Sequence, residues 1–194
     1  MRSNRRLVSA IRMSRPALIA LLVALLFGGA ACGHKIGDTC GISADCSQDG
    51  TRVCDIYSVG GYCTIAGCDY NTCPSEAVCV EFFPGVEDAV SCTGPADCAR
   101  DELCTVGGQC APVSLEQRFC MLSCSSDGDC RDGYECRTLE VMKKHGGQPV
   151  PDPTATTTAV PNQPFCAARR PCTGNPQCDT GEHCDASLKV CLPS

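Results

Sequence analysis

The sequence predicts a small disulfide-rich fold: an array of short cysteine modules with β-hairpins and turns, little helix and no large hydrophobic core. Three observations lead to this prediction. The chain of 194 residues contains 21 cysteines, all from Cys32 onward. From that point to the C-terminus, fewer than one residue in five is Leu, Ile, Val or Phe, which is too few for an ordinary core. A four-cysteine spacing also recurs along the chain.

The net charge of the same region bears on whether it is folded and on which partners it can bind. From Cys32 onward there are 11 Lys and Arg against 22 Asp and Glu, which gives a net charge of −11. Low hydrophobicity with high net charge usually indicates disorder, but cysteines at this density indicate a scaffold held by disulfides. The acidic balance argues against nucleic acid as a partner.

The segment 1–31 has the pattern of a secretory signal peptide. Basic residues precede an uninterrupted apolar run, Ala17 to Phe27, which is too short to span a membrane. Translation could also begin at Met13, since Met13-Ser-Arg-Pro forms a short basic segment by itself. Arg5-Arg6 raises twin-arginine export, but that route carries folded cargo from a reducing cytosol, which suits a disulfide-dependent protein poorly.

Small residues directly before a cysteine, Ala30-Ala31-Cys32, resemble the lipobox of bacterial lipoproteins. The resemblance implies that Cys32 is lipidated and begins the mature chain, with 32–39 as a tether; Gly29 departs from the usual Leu. Gly33 after the cysteine implies sorting to the outer membrane. The alternative is an ordinary cleavage site before a disulfide-bonded cysteine. Parity favours lipidation, because 20 cysteines remain without Cys32 and can pair completely.

Cysteine spacing divides the rest of the chain. The segments 92–110 and 172–191 each carry four cysteines separated by five or six residues, and both open Cys-Thr-Gly. A looser copy occupies 40–63, and 124–136 supplies the first three positions of another. We therefore expect modules at 40–63 and 172–194. The central region, 64–171, would hold eight further cysteines around the 92–110 module.

The repeat resembles the cysteine-rich motif of the dickkopf N-terminal domain and short repeats of bacterial surface lipoproteins. We transfer no Wnt-pathway activity, because small disulfide modules converge on such spacings. Four cysteines allow three pairings, and we favour the interleaved arrangement found in EGF-like modules. It closes two overlapping loops, whereas pairing neighbours would leave the halves of a module free to swing. The expected bonds are Cys92–Cys104, Cys98–Cys110, Cys172–Cys184 and Cys178–Cys191.

Regular secondary structure should be sparse. Val78–Phe83 and Val90–Cys92 are rich in β-forming residues and are expected to pair in small hairpins, while only Leu139–Lys144 favours a helix. The segment 146–164 has five Pro and four Thr, which predicts an extended, solvated loop. An exposed Phe82-Phe83 would suggest a contact surface, but packing over disulfides is the favoured interpretation.

The sequence gives little support for a metal site or a catalytic site. The cysteines lack the Cys-x-x-Cys pairs typical of zinc sites. The acidic segment 127–133 suggests calcium, but Arg131 and Thr138 stand where an EF-hand needs ligands, so a solvated turn is favoured. His34, His145 and His183 occur in no catalytic motif. We therefore expect no metal, no cofactor and no enzyme activity.

The sequence thus favours a lipid-anchored, disulfide-stapled protein of the bacterial cell surface that acts as a binding or structural module. Its partners would be the membrane, through the lipid, and an extracellular protein or glycan. The alternative is an extracellular protease inhibitor on a disulfide scaffold. No segment of the sequence is marked as a reactive loop, and the Pro- and Thr-rich segment is too flexible for one.

Overall fold

The computed structural model describes residues 34–86, 89–155 and 160–194. The predicted signal peptide and Cys32 lie outside the described residues. The chain from His34 to Ser194 clusters as one compact unit. No helix in the described ranges is long and apolar enough to cross a membrane.

Short antiparallel strands dominate the described chain, which confirms the predicted fold class. The strands are β1 (Val53–Asp55), β2 (Tyr62–Thr64), β3 (Ala77–Phe82), β4 (Glu102–Cys104), β5 (Cys110–Pro112), β6 (Gln117–Leu122), β7 (Tyr134–Arg137), β8 (Gln148–Pro149), β9 (Phe165–Ala168), β10 (Glu182–Asp185) and β11 (Val190–Pro193). Two α-helices occur among the described residues, α1 (Ser43–Cys46) and α2 (Leu139–His145). Four strand pairs form two-stranded sheets, and β6, β3 and β8 form a three-stranded sheet in that order.

Ten disulfides join the 20 cysteines from Cys40 to Cys191 in one repeated pattern. They fall into five groups of four, here called units: unit 1 (Cys40, Cys46, Cys54, Cys63), unit 2 (Cys68, Cys73, Cys79, Cys120), unit 3 (Cys92, Cys98, Cys104, Cys110), unit 4 (Cys124, Cys130, Cys136, Cys166) and unit 5 (Cys172, Cys178, Cys184, Cys191). In each unit the first cysteine binds the third and the second binds the fourth. The eight central cysteines therefore form two further copies of the unit rather than one larger group.

A hairpin explains why the bonds interleave. In every unit the third and fourth cysteines lie directly opposite one another on two antiparallel strands: Cys54 and Cys63, Cys79 and Cys120, Cys104 and Cys110, Cys136 and Cys166, Cys184 and Cys191. Opposite residues of an antiparallel pair place their side chains on the same face of the hairpin. Both sulfurs can therefore bond to the segment that carries the first and second cysteines.

That segment is a turn held by a side chain. The residue before the second cysteine accepts a hydrogen bond from the backbone N–H of the residue after the first cysteine in all five units. The acceptors are Asp45, Thr72, Asp97, Asp129 and Gln177, at distances of 2.5–2.8 Å. The bond satisfies a backbone donor that the short turn leaves unpaired, as a helix N-cap does.

Units 2 and 4 differ from the others in the connection between their third and fourth cysteines. In unit 2, the connection from Cys79 to Cys120 contains all of unit 3. In unit 4, the connection from Cys136 to Cys166 contains α2, β8 and the Pro- and Thr-rich segment. Both insertions replace a hairpin turn, so the strands still pair in register.

The observed secondary structure differs from the predicted one in two details. Val78–Phe83 falls largely in β3, which pairs with β6 and β8, but Val90–Cys92 contributes only an isolated bridge between Ser91 and Gln109. The Pro- and Thr-rich segment is not solvated throughout, because Gln148–Pro149 forms β8 and Val150 is buried.

Gly147 has a φ of 73°, and a Cβ there would lie 2.6 Å from the Phe82 ring. Only glycine permits this approach.

A small core lies where units 1, 2 and 4 meet. Its twelve buried residues include three disulfide cysteines and the side chains of Tyr62, Val80, Tyr134 and Phe165. Tyr62 stacks on Tyr134 with ring centroids 5.4 Å apart, and Phe82 meets Phe165 edge to face at 6.1 Å. Phe82 is therefore partly buried against other aromatic rings, whereas Phe83 lines a cleft and Tyr57 is 95% exposed.

Candidate functional site: a cationic cleft beside unit 4

A cleft of about 660 Å³ opens where the end of α2 meets the segment that leads from β9 into unit 5. Five of its lining residues can carry positive charge: Arg137, Lys144, His145, Arg169 and Arg170. The others that line it in the described ranges are apolar or uncharged. Four of the 11 permanent cations after Cys32 therefore converge on one cavity of an acidic protein. A cavity with converging polar groups is the default candidate for a binding site.

Arg137 fixes one wall of the cleft. Its side chain extends from β7 and is 10% exposed. Nη1 donates to the carbonyls of His145 and Gly146, each at 2.8 Å, and Nη2 donates to the carbonyl of Ala168 at 3.0 Å. The first two bonds satisfy carbonyls at the end of α2 that have no partner within the helix. Arg137 thus joins the helix end to β9.

Glu135 is the buried centre of the charges around the cleft. Its carboxylate lies 3.1 Å from Nε of Arg137, 2.7 Å from Nδ1 of His145 and 3.7 Å from Nη1 of Arg169. Burial alone would raise the pKa of Glu135, but the His145 hydrogen bond and the two guanidinium charges outweigh it and lower that pKa. Glu135 is therefore held as an anion, which compensates the buried cations.

Asp179 extends this network to unit 5. Its carboxylate lies 3.4 Å from Nε2 of His145, and Arg170 donates to both carboxylate oxygens at 2.9 and 3.3 Å. The bond to Glu135 raises the pKa of His145, and the nearby Asp179 acts in the same direction. The bond to His145 and the charge of Arg170 hold the pKa of Asp179 below its usual value. Units 4 and 5 are thus joined by ion pairs at the wall of the cleft.

The site residues that the sequence predicts are cysteines outside this cleft. Each of the four expected pairs is bonded, Cys92 to Cys104, Cys98 to Cys110, Cys172 to Cys184 and Cys178 to Cys191, with Cα atoms 5.4–5.8 Å apart. Cys32, the expected lipidation site, lies outside the described residues. Three cysteine sulfurs lie within 4.8 Å of one another in every unit because the two disulfides cross there. Sulfurs in disulfides lack the thiolate that a metal binds.

The acidic segment considered for calcium is used in the protein's own contacts. Asp127 accepts the backbone N–H of Cys136 at 2.8 Å with one oxygen and binds Arg169 at 2.5 Å with the other. Asp129 accepts the N–H groups of Ser125 and Ser126 at 2.7 and 2.9 Å. These bonds lower the pKa of Asp129. The two carboxylates stabilise the first turn of unit 4 rather than forming a ligand set.

The three histidines differ in their surroundings. His34 contacts the carbonyl of Asp45, and His183 is exposed on β10. His145 is the one that lines the cleft, and both of its ring nitrogens face carboxylates. Neither nitrogen is therefore directed at a serine, threonine or cysteine nucleophile, which is the arrangement that nucleophilic catalysis requires.

The sequence does not reveal the cleft itself. A signal for it existed, because Lys143-Lys144 and Arg169-Arg170 are the only places after Cys32 where two Lys or Arg adjoin. These dipeptides do not by themselves indicate that the two segments meet. The disulfide Cys130–Cys166 and the β7–β9 hairpin bring the segments together in the fold.

Three comparisons with known proteins found no matching family model, no matching curated protein and no matching solved structure.

Proposed function

We propose that this chain is a lipid-anchored protein of the bacterial cell envelope, and that it acts as a rigid binding module rather than as an enzyme. Its anchor would be Cys32, in the outer membrane, and its ligand an extracellular protein or glycan. The cleft beside unit 4 would be its binding site.

The observation that carries the anchor is the complete pairing of the other cysteines. Ten disulfides use all 20 cysteines from Cys40 to Cys191. Cys32 therefore has no cysteine left to pair with in its own chain. An odd cysteine in an exported protein calls for another role, and the small residues before Cys32 favour lipidation. Several acyl chains on one cysteine would hold the protein firmly, because each buried methylene contributes about 0.8 kcal/mol.

The binding role is supported by the rigidity of the scaffold and by the cleft. Disulfide units that are cross-linked in this way lose little conformational entropy when they bind. The cleft walls come from unit 4, from Gln109 of unit 3, from Phe83 and Val86 after β3, and from the segment that enters unit 5. Ion pairs of Asp179 with His145 and Arg170 join unit 5 to two of these walls. Binding sites commonly lie between such structural units.

Replacing Cys32 with Ser tests the anchor. We expect metabolic labelling with a radioactive fatty acid to mark the wild-type protein and the control Lys35→Ala, and to leave Cys32→Ser unlabelled. Cys32→Ser should accumulate as precursor or appear in the soluble fraction. A wild-type protein whose intact mass shows no lipid would overturn the proposed anchor.

One observation favours the protease inhibitor as the second candidate. Tyr57 is 95% exposed at the tip of the β1–β2 hairpin. Asp55 braces this tip, because it accepts the N–H of Tyr57 at 3.0 Å and the hydroxyl of Ser58 at 2.6 Å. Ile56 and Tyr57 form a turn, however, whereas a protease binds a reactive loop in an extended conformation. Tight stoichiometric inhibition of a protease that Tyr57→Ala abolishes would reverse this ranking.

A further inference from the structure

We propose that the cleft binds a phosphate group carried on an organic molecule. The inference rests on the proposed role as a binding module and names the chemical class of its ligand. It is independent of the anchor, because Cys32 is not among the residues on which it depends.

The charge balance around the cleft is positive. Four permanent cations line the cleft: Arg137, Lys144, Arg169 and Arg170. Three carboxylates, Glu135, Asp127 and Asp179, offset part of their charge. One positive charge remains when His145 is neutral and two remain when it is protonated. The mature chain as a whole carries −11, so the cleft differs in sign from the rest of the molecule. Such a site concentrates anions.

The cations divide into two that supply charge and two that can reach a ligand. Arg137 and Arg169 are buried, and their guanidinium groups bind carbonyls and carboxylates of the protein itself. Lys144 is exposed and has no ion pair among the described residues, whereas its neighbour Lys143 binds Glu140. The side chain of Arg170 is 39% exposed. A ligand at the mouth of the cleft would contact Lys144 and Arg170.

These two side chains suit phosphate better than carboxylate. A phosphate monoester carries about −1.5 to −2 charges at pH 7 and three strong acceptor oxygens. It therefore matches an excess of up to two positive charges, while a carboxylate matches only one. Lys144 supplies an unpaired point charge to such an anion, and Arg170, whose fork binds Asp179, adds its positive charge beside it.

The cleft is also larger than a bare ion requires. Its volume is about 660 Å³, and Phe83, Val86 and Pro171 add apolar walls to the cationic ones. Pockets of several hundred Å³ with apolar walls hold organic ligands. A phosphorylated sugar and the headgroup of a phosphatidic acid are two sources of the same phosphate monoester, and the experiment must separate them.

The experiment uses the full chain, purified from membranes in uncharged detergent at about 50 mM salt, where charge interactions are weakly screened. Calorimetry with inositol hexakisphosphate tests a soluble phosphate ester. Titration with short-chain phosphatidic acid in the same detergent, compared with short-chain phosphatidylcholine, tests a headgroup. We expect at least one probe to bind, and the arm that responds identifies the source.

The variants decide whether the cleft is responsible. Lys144→Glu should weaken binding about tenfold or more, and Lys144→Gln should weaken it less, because only the former adds a repulsive charge. Arg100→Glu, an exposed control in unit 3 with the same change in charge as Lys144→Glu, should change affinity less than about twofold. Free-thiol counts on each variant show that its disulfides have formed.

Two results would overturn the inference. The first is no binding of either probe by the wild type. The second is equal weakening by Lys144→Glu and Arg100→Glu, which would indicate nonspecific attraction. Neither result affects the fatty-acid label on Cys32, and a ligand that binds elsewhere on the protein would leave the proposed binding role standing.

Discussion

At the scale of single residues, the protein buries charged side chains that sequence reasoning would place at the surface. Glu81 lies on β3 and is 4% exposed, and Nε2 of Gln148 on β8 donates to its carboxyl at 2.7 Å. Burial, together with the neighbouring Glu116, raises the pKa of Glu81 to about 7. A glutamate in an acidic chain is ordinarily expected to be exposed. Its burial depends on pairing with a residue 67 positions away.

We predict that Glu81→Gln stabilises the protein above neutral pH. The folded-state pKa of Glu81, about 7, exceeds its unfolded value of 4.5, so wild-type stability falls as the pH rises between these values. The amide removes this loss. The gain at pH 8 should be at least on the order of 1 kcal/mol, or about 3 °C in Tm.

Thermal unfolding of both proteins at pH 4 and pH 8, with disulfides intact, measures the effect. The gain should largely vanish at pH 4, where the carboxyl is mostly protonated in both the folded and the unfolded protein. Glu140→Gln, at a carboxylate that is 78% exposed, serves as the control and should show little difference between the two pH values. An equal gain from Glu81→Gln at both pH values would contradict the explanation.

At the scale of elements, the repeated unit is a braced turn followed by a hairpin, and both parts can be recognised in the sequence. Asp45, Asp97 and Asp129 precede the second cysteine of their units, and each accepts backbone N–H groups in its turn. These hydrogen bonds lower the pKa of all three carboxyls. Thr72 and Gln177 take the same place in units 2 and 5, so the position requires an acceptor rather than a charge.

We predict that Asp97→Ala loosens the turn of unit 3 while its disulfides remain. The change removes the acceptor of the N–H groups of Thr93 and Gly94, which lie at 2.7 and 3.2 Å from Asp97. Amide exchange at these two positions should accelerate about tenfold or more by local opening, and Asp97→Asn should largely restore protection because it keeps an oxygen. Equal exchange in Asp97→Ala and the wild type would show that the side chain does not hold the turn.

The sequence could reveal three of the five units in full and the first three cysteines of unit 4. Units 1, 3 and 5 keep short intervals between all four cysteines, and so their spacing is visible. Units 2 and 4 lose this periodicity at the last interval, because an insertion replaces the hairpin turn. A register of six opposed residue pairs between β3 and β6 re-forms unit 2 across that insertion. Such pairing depends on contacts between distant segments, which no local pattern reports.

The cleft shows the same limit. Its basic residues were visible as isolated pairs, but they meet only because the β7–β9 hairpin closes across the insertion between Cys136 and Cys166. The salt bridges of His145 with Glu135 and Asp179 likewise join segments that are 10 and 34 positions apart. The sequence could therefore predict the pairing within a compact module but not the site formed between modules.

At the scale of the whole molecule, disulfides replace most of what a hydrophobic core does elsewhere. Among the described residues, only twelve buried ones form the core cluster where units 1, 2 and 4 meet. Most of the disulfides join cysteines 11–17 positions apart, and each such loop limits the unfolded chain by about 3 kcal/mol in the chain-entropy model. The stability of the fold therefore depends on one connectivity, repeated five times.

Disulfide mapping tests that connectivity most directly. The protein is alkylated without reduction, digested at acidic pH to prevent exchange, and its linked peptides are identified by mass spectrometry. We predict no alkylation of the 20 cysteines from Cys40 to Cys191 and ten linked pairs, including the two long-range bonds Cys73–Cys120 and Cys130–Cys166. Bonds between sequence neighbours, such as Cys68–Cys73 or Cys120–Cys124, or several free thiols among these cysteines, would contradict the account.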